Sequence, residues 1–265
     1  LDECGDFMAK VVAPVNRDGD LIGSVRNADG TVTTPESFRT AYAKLVESGW
    51  TSVPFPEEFD GGGFPWTVGL AIQELLQTSS LAFALAPLLT QGAIDALLHY
   101  GSDEQKATYL PRMVSGEWTG TMNLTEPAAG TDVGALTTKA VPNGDGTYAI
   151  TGQKIFITFG DHDLSDQIVH LVLARTPGAP DGTRGISCFI VPKFLLTADG
   201  EPGAPNSLEC LALEHKVGIH GSPTAVMSYE GATGYLIGEE NLGMRIMFVM
   251  MNSARVSVGM QGLAV

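Results

Sequence analysis

The sequence predicts a multi-domain α+β protein: an amino-terminal helical bundle, a middle antiparallel β-barrel or sandwich, and the start of a second helical bundle. Three observations predict it. Apolar residues recur at helical spacing from about residue 35 to 114. After Gly116 the pattern becomes short β-rich runs separated by turn-forming stretches, and near Leu242 an uninterrupted helical pattern begins. The implied boundaries are 1–117, 118–240 and 241–265. Alternating βαβ units are absent, which argues against a Rossmann domain.

In the first portion, Thr34 can serve as an N-cap with Pro35 at the first helical position. Phe38, Tyr42, Leu45 and Val46 then form a stripe that ends near Gly49. A second helix is expected over 67–78, with Ile72, Leu75 and Leu76 inward, and a third over 91–100, stopped by Gly101. Ser102 with Gln105 three residues on makes a capping box for a fourth, which turns Tyr109 and Leu110 inward. Strands are expected over 118–124, 148–159, 168–173, 185–191 and 208–213, with turns at Pro142-Asn-Gly-Asp-Gly146 and Pro177-Gly-Ala-Pro-Asp-Gly182. The alternation suits a barrel or sandwich.

Composition narrows the partners. The 265 residues are 44% hydrophobic, enough for a sizeable core. Fifteen Lys and Arg stand against 30 Asp and Glu, a net charge of −15, which repels nucleic acid and anionic membranes. An anionic ligand must therefore be held by local donors. Cys4, Cys188 and Cys210 are odd in number and lack ligand spacing, as expected for reduced thiols in a cytoplasmic protein. The longest apolar stretch, 81–89, falls short of the roughly 20 residues that span a bilayer. The first residues carry no secretory signal and no initiator Met, and the closing helix pattern has no stop signal, so the chain reads as truncated at both ends.

No catalytic machine stands out locally. Gly61-Gly-Gly63 and Gly218-Ile-His-Gly221 fail the dinucleotide and P-loop fingerprints and read as turns. His215 with His220, and Asp161-His162-Asp163, lack a convincing metal-ligand pattern and read as solvated loop residues. The stretch Thr121 to Val133 is a strand that runs into a small-residue turn rich in backbone N–H groups and hydroxyls, which can bind an oxyanion without positive charge. Composition alone favours a plain connection there. In Thr151 to Gly160, Phe156 and Thr158 alternate onto one face, either toward a shared site or into the barrel core.

Taken together, these segments resemble the acyl-CoA dehydrogenase family over nearly the whole chain. The carriers are Pro56 to Gly63, Gln105 to Arg112, Leu124-Thr-Glu-Pro-Ala-Ala-Gly-Thr-Asp132 and Gly152-Gln-Lys-Ile-Phe-Ile-Thr158, in the family's order and approximate spacing. Residues 161–163, 215–224 and 232–238 resemble the large bacterial branch that includes methylthiopropionyl-CoA dehydrogenases. The resemblance implies FAD as cofactor and α,β-desaturation of an acyl-CoA thioester. It also implies an electron-transfer flavoprotein as electron acceptor and a homodimer or homotetramer.

Residue by residue, the resemblance sets Met122, Asn123, Leu124, Thr125, Gly130, Thr131, Phe156, Ile157 and Thr158 against the flavin, with Thr131 and Arg255 also toward the substrate. Phe156 stands where the family often has Trp, which keeps packing and loses an N–H donor. No catalytic base is expected within these residues. The family usually takes it from a carboxy-terminal Glu, and the minority position, just before an Arg resembling Arg255, is Ala254 here. Glu126, followed by Pro127, is expected to fix the turn rather than abstract a proton. An acyl-CoA oxidase or flavin monooxygenase of the same fold, and a non-catalytic acyl-CoA-binding relative, are the rival readings. A carbohydrate-binding β-sandwich leaves both specific motifs unexplained.

Overall fold

The computed structural model describes residues 1–264. Helices α1 (Asp2–Phe7), α2 (Val15–Leu21), α3 (Glu36–Ser48), α4 (Trp66–Ser79), α5 (Leu81–Tyr100) and α6 (Asp103–Ser115) precede the sheet, and α7 (Gly243–Ala264) follows it. A π-helical turn, Met8–Val12, joins α1 to α2, and a small hairpin of β1 (Val25–Arg26) and β2 (Val32–Thr33) leads into α3. The sheet comprises β3 (Trp118–Asn123), β4 (Lys139–Pro142), β5 (Tyr148–Thr158), β6 (Gln167–Ala174), β7 (Ser187–Pro192), β10 (Leu208–Leu213) and β11 (Thr224–Leu236). A separate ribbon pairs β8 (Phe194–Leu196) with β9 (Pro202–Pro205).

The helical stripes are where periodicity puts them. Phe38, Tyr42 and Leu45 are buried, and α3 ends at Gly49 in the left-handed conformation. The Ser102–Gln105 capping box forms in both directions, at 3.1 Å each way. Two starts differ. The N-cap of α3 is Pro35, because the Thr34 hydroxyl and N–H are both taken by Asp163, at 2.6 and 2.9 Å. Helix α5 begins at Leu81, ten residues before the expected start, and carries Pro87 inside it. Its length and hydropathy would suit a membrane span, so the expectation that this stretch is too short fails. However, 72% of its most apolar window is buried within the fold, as in a core helix.

The sheet order is β3-β6-β7-β11-β5-β4, with β10 also on β11. It is mixed rather than wholly antiparallel. Strands β3 and β6 run parallel from Trp118–Gln167 to Asn123–Val172, which the intervening β4 and β5 allow as a crossover. Sequence patterning missed β4, β8, β9 and β11. The last is 13 residues long but rich in small residues and broken by two register shifts. It joins the two halves of the sheet, pairing β5 and β10 along most of its length and β7 at its end.

Helix α5 lies directly on β3. A side chain at Gly120 would sit 2.6 Å from the Ala93 Cβ and 2.9 Å from Met113, so only glycine allows this approach, and the Gly120 N–H donates to the Thr90 hydroxyl at 3.0 Å. One apolar core then links α5, α6 and α7 to β3, β6 and β7, and a second fills the barrel interior. Gly120→Ala is expected to cost about 1–3 kcal/mol by overpacking, read as a lower denaturation midpoint. Unchanged stability would show that α5 can move off β3 freely.

Candidate functional site

The conspicuous motif residues meet where β3 ends beside β5. The Ile155 N–H donates to the Thr125 carbonyl at 2.9 Å, and the space beside Gly130 opens onto the Thr125 methyl, 3.9 Å from a would-be Cβ. Residues 126–129 form a tight turn closed by reciprocal backbone bonds between Glu126 and Ala129, at 3.0 and 3.1 Å. Beyond it, the N–H groups of Gly130, Thr131 and Asp132 make no hydrogen bond among the described residues. Nor do the hydroxyls of Thr125, Thr131 and Thr158. A run of free N–H groups flanked by hydroxyls can hold an anion.

Beneath this surface lies the Glu126–Lys154 pair, 3% and 0% exposed, at 2.9 Å. Glu126 is saturated: one oxygen accepts the Thr137 N–H and hydroxyl, and the other accepts the Thr138 N–H and hydroxyl together with Lys154. The Lys154 ammonium also donates to the Leu124 carbonyl at 3.1 Å. Burial alone would raise the Glu126 carboxyl. The Lys154 charge and the threonine donors outweigh it and hold the group at about 2. Burial lowers Lys154 to about 8 against the pull of Glu126, so it stays cationic at neutral pH. A side chain at Gly152 would lie 2.4 Å from the Thr138 hydroxyl, so the glycine of the Gly-Gln-Lys element lets Thr138 reach Glu126.

Phe156 owes its direction to a bulge. Ile157 pairs with Ala225 and Lys154 with Met227, so two residues of β5 oppose one of β11. Phe156 sits there at φ +60°, a strained conformation for a bulky residue, and is 58% exposed, next along the strand from Ile155, which bonds Thr125. Lys154 and Ile157 thereby both point inward.

Of the sequence-predicted residues, Met122, Leu124, Thr125, Gly130, Thr131, Phe156 and Thr158 line or border this surface, with Met122 and Leu124 half-buried against the core shared by the helices and the sheet. The side chains of Asn123 and Ile157 face the interior, leaving only backbone toward the site. Asn123 accepts from the Tyr229 hydroxyl at 2.8 Å and donates to Thr121, which bonds His170. Arg255 is exposed on α7, bonded to Asn252 and lying over Phe248 of its own helix.

The expectation that Asp161 and His162 are solvated is wrong. Asp161 pairs with Lys193 at 2.5 Å, and His162 is buried between the Thr119 hydroxyl and the Leu164 N–H, which holds it neutral. Asp163 binds Thr34 and Arg39, so this turn fastens the helices to the sheet. His215 and His220 lie 5.8 Å apart at the surface. Among the described residues no group of three or more His, Cys, Asp or Glu is arranged for a metal ion. Sequence reasoning missed Lys154 as an anchor. Its signal was there: a lysine in register with Ile150 on a strand's inward face requires a buried anion.

Residues 1–117 match the acyl-CoA dehydrogenase N-terminal domain, and residues 121–232 match the middle domain of the same family. The chain belongs to the acyl-CoA dehydrogenase family. It is 55% identical over its full length to a 3-methylmercaptopropionyl-CoA dehydrogenase of Ruegeria pomeroyi, of which it covers 45%. Among solved structures it is similar to butyryl-CoA dehydrogenase of Megasphaera elsdenii, with TM-score 0.78, 27% identity, and coverage of 98% of this chain and 63% of that one. A Bacillus anthracis acyl-CoA dehydrogenase complexed with FAD matches with TM-score 0.79 and 25% identity, over 99% of this chain and 41% of that one. The chain thus spans less than half the length of the curated relative.

Replacing Lys154 with Met leaves a buried carboxylate without its cation and is expected to cost about 3–5 kcal/mol. Because Glu126 titrates at about 2 when folded and near ~4.3 when unfolded, its contribution is complete above the upper value and is lost as pH falls toward the lower one. Unfolding midpoints measured from pH 6 to 2 should decline through that window, and Glu126→Gln should flatten the decline.

Proposed function

We propose that this chain forms the flavin- and substrate-facing walls of an FAD-dependent acyl-CoA dehydrogenase that desaturates an acyl-CoA thioester between the α and β carbons. The observation that carries this reading is the open surface where Thr125, Gly130 and Phe156 meet, held from below by Glu126 and Lys154. We further propose the division 1–117, 118–240 and 241–265 into helical, barrel and second helical domains, an electron-transfer flavoprotein as acceptor, and assembly as a homo-oligomer.

The donor set fits FAD. Free N–H groups at Gly130, Thr131 and Asp132 suit a diphosphate in a chain whose net charge of −15 offers no general attraction to anions. Phe156 offers a flat apolar face, and Thr125 and Thr158 offer hydroxyls beside it. When bound, FAD supplies the acceptor for the β-hydrogen as hydride. The protein's own part is to orient both carbons and exclude water, which Met122 and Leu124 serve from the half-buried edge of the core. Glu126 is no base: five donors from Thr137, Thr138 and Lys154 occupy its oxygens. Abstraction of the α-proton falls to a carboxylate outside these residues.

The test is spectroscopic. Full-length protein should show a flavin absorption band that bleaches anaerobically on addition of a saturated acyl-CoA. A bound flavin that no thioester reduces would favour a monooxygenase of the same fold, and absence of flavin a non-catalytic relative. Phe156→Ala should weaken FAD retention by roughly tenfold, the value of one aromatic stacking contact, measured by flavin release on dilution.

A further inference from the structure

The candidate site lies on a seam. Strand β3 stands at one end of the sheet order, and no ladder joins it to β5. Among the described residues one backbone bond crosses this gap, from the Ile155 N–H to the Thr125 carbonyl, and the Lys154 ammonium adds a contact at the Leu124 carbonyl. A third link comes through the barrel interior. Tyr229, opposite Gly152 of β5 in the β11 ladder, donates its hydroxyl to the Asn123 side-chain carbonyl at 2.8 Å.

Asn123 is fixed in turn. Its amide N–H donates to the Thr121 hydroxyl at 2.8 Å, which leaves that hydroxyl to donate to Nδ1 of His170 at 2.7 Å. Burial keeps His170 neutral, so Nδ1 can accept and the proton sits on Nε2, which finds no partner among the described residues. The donors therefore run one way, from Tyr229 to His170, and the Asn123 carboxamide has a single orientation. Tyr229, Asn123, Thr121 and His170 are each at most 1% exposed. The preceding inward residues of β11, Ala225 and Met227, are apolar, as a core calls for. Four polar side chains that end in an unpaired N–H are a costly way to fill such a place. A local rule broken at the residue between Met122 and Leu124 points to function rather than stability.

We propose that Tyr229 and Asn123 are positioning residues, and that their bond sets how closely the end of β3 approaches β5 and so how well the flavin fits the surface formed there. Both side chains are buried away from that surface, so the effect passes through the backbone of residues 122–125. This inference rests on the FAD reading above.

The test uses the full-length protein. Tyr229→Phe removes the donor and keeps the ring. It should weaken FAD binding by about tenfold, the value of one buried hydrogen bond, and change the shape of the visible flavin band in the molecules that retain it. Asn123→Leu should do the same, and the double variant should lose no more than the weaker binder of the two, because both changes break one bond. Thr119→Val is the control. It cuts buried bonds to His162 and Ser165 on the same strand, four residues before Asn123, and should lower the melting temperature while leaving FAD affinity and band unchanged. If Tyr229→Phe likewise lowers only the melting temperature, the tie is purely structural and the proposal falls. Additive losses in the double variant would overturn it as well. Should neither variant fold, a structure of the full-length protein with FAD decides: a flavin ring against the backbone of residues 122–125 supports the tie, and a ring seated away from it refutes it. Full-length protein that carries no flavin at all would fail the FAD reading itself.

Discussion

The buried ion pair between Glu126 and Lys154 is the contact on which the arrangement of the site depends. Strands β3 and β5 are not neighbours along the sheet, yet the loop leaving β3 must lie against β5 for Thr125 and Phe156 to share a surface. One carboxylate draws together three segments: its own turn, the Thr137–Thr138 approach to β4, and the inward face of β5. A buried pair is weak support for stability by itself, because desolvation takes back most of the attraction. What it provides here is position, since with every lone pair directed at a donor the turn has one geometry open to it.

Around that anchor the fold separates rigid support from exposed chemistry. Alternation along β3 sends Thr119, Thr121 and Asn123 into the barrel, where His162, His170 and Tyr229 meet them, and sends Gly120 toward α5. The strand is thus held from both sides, by hydrogen bonds on one face and by close packing on the other. The site residues after it sit on a loop whose backbone is free to bind. The bulge at Phe156 does the same on β5, where the strand stays paired while one ring turns outward.

Much of this was legible in the sequence. The periodicity of α3 and α6, the capping box and the two specific motifs located the helices and the loop that carries the hydroxyls. What was hidden depended on partners distant along the chain. Nothing near Pro87 signals that α5 begins at Leu81, because the helix is held by packing on several neighbours rather than by its own propensity. The parallel pairing of β3 with β6 leaves no mark on either strand. Lys154 shares its strand face with buried Ile150 but reads as an ordinary charged residue until Glu126 is seen beside it, and Asp161 and His162 look like surface residues until Lys193 and Thr119 are seen beside them.

The parallel pairing also governs the order in which the protein can be built. Strand β3 is completed only when β6 arrives, some 49 residues later, as in the pair Trp118–Gln167, and Thr158 of β5 finds its partner at Thr224, 66 residues on. Closing such long loops is slow compared with winding helices from local contacts. The bundle of α3 to α6 can therefore be in place while the surface around Thr125 and Phe156 is still unformed, with β5 exposing an unpaired edge for that interval. The sheet therefore limits how fast this chain folds, and the surface around Thr125 and Phe156 is among the last parts to take shape.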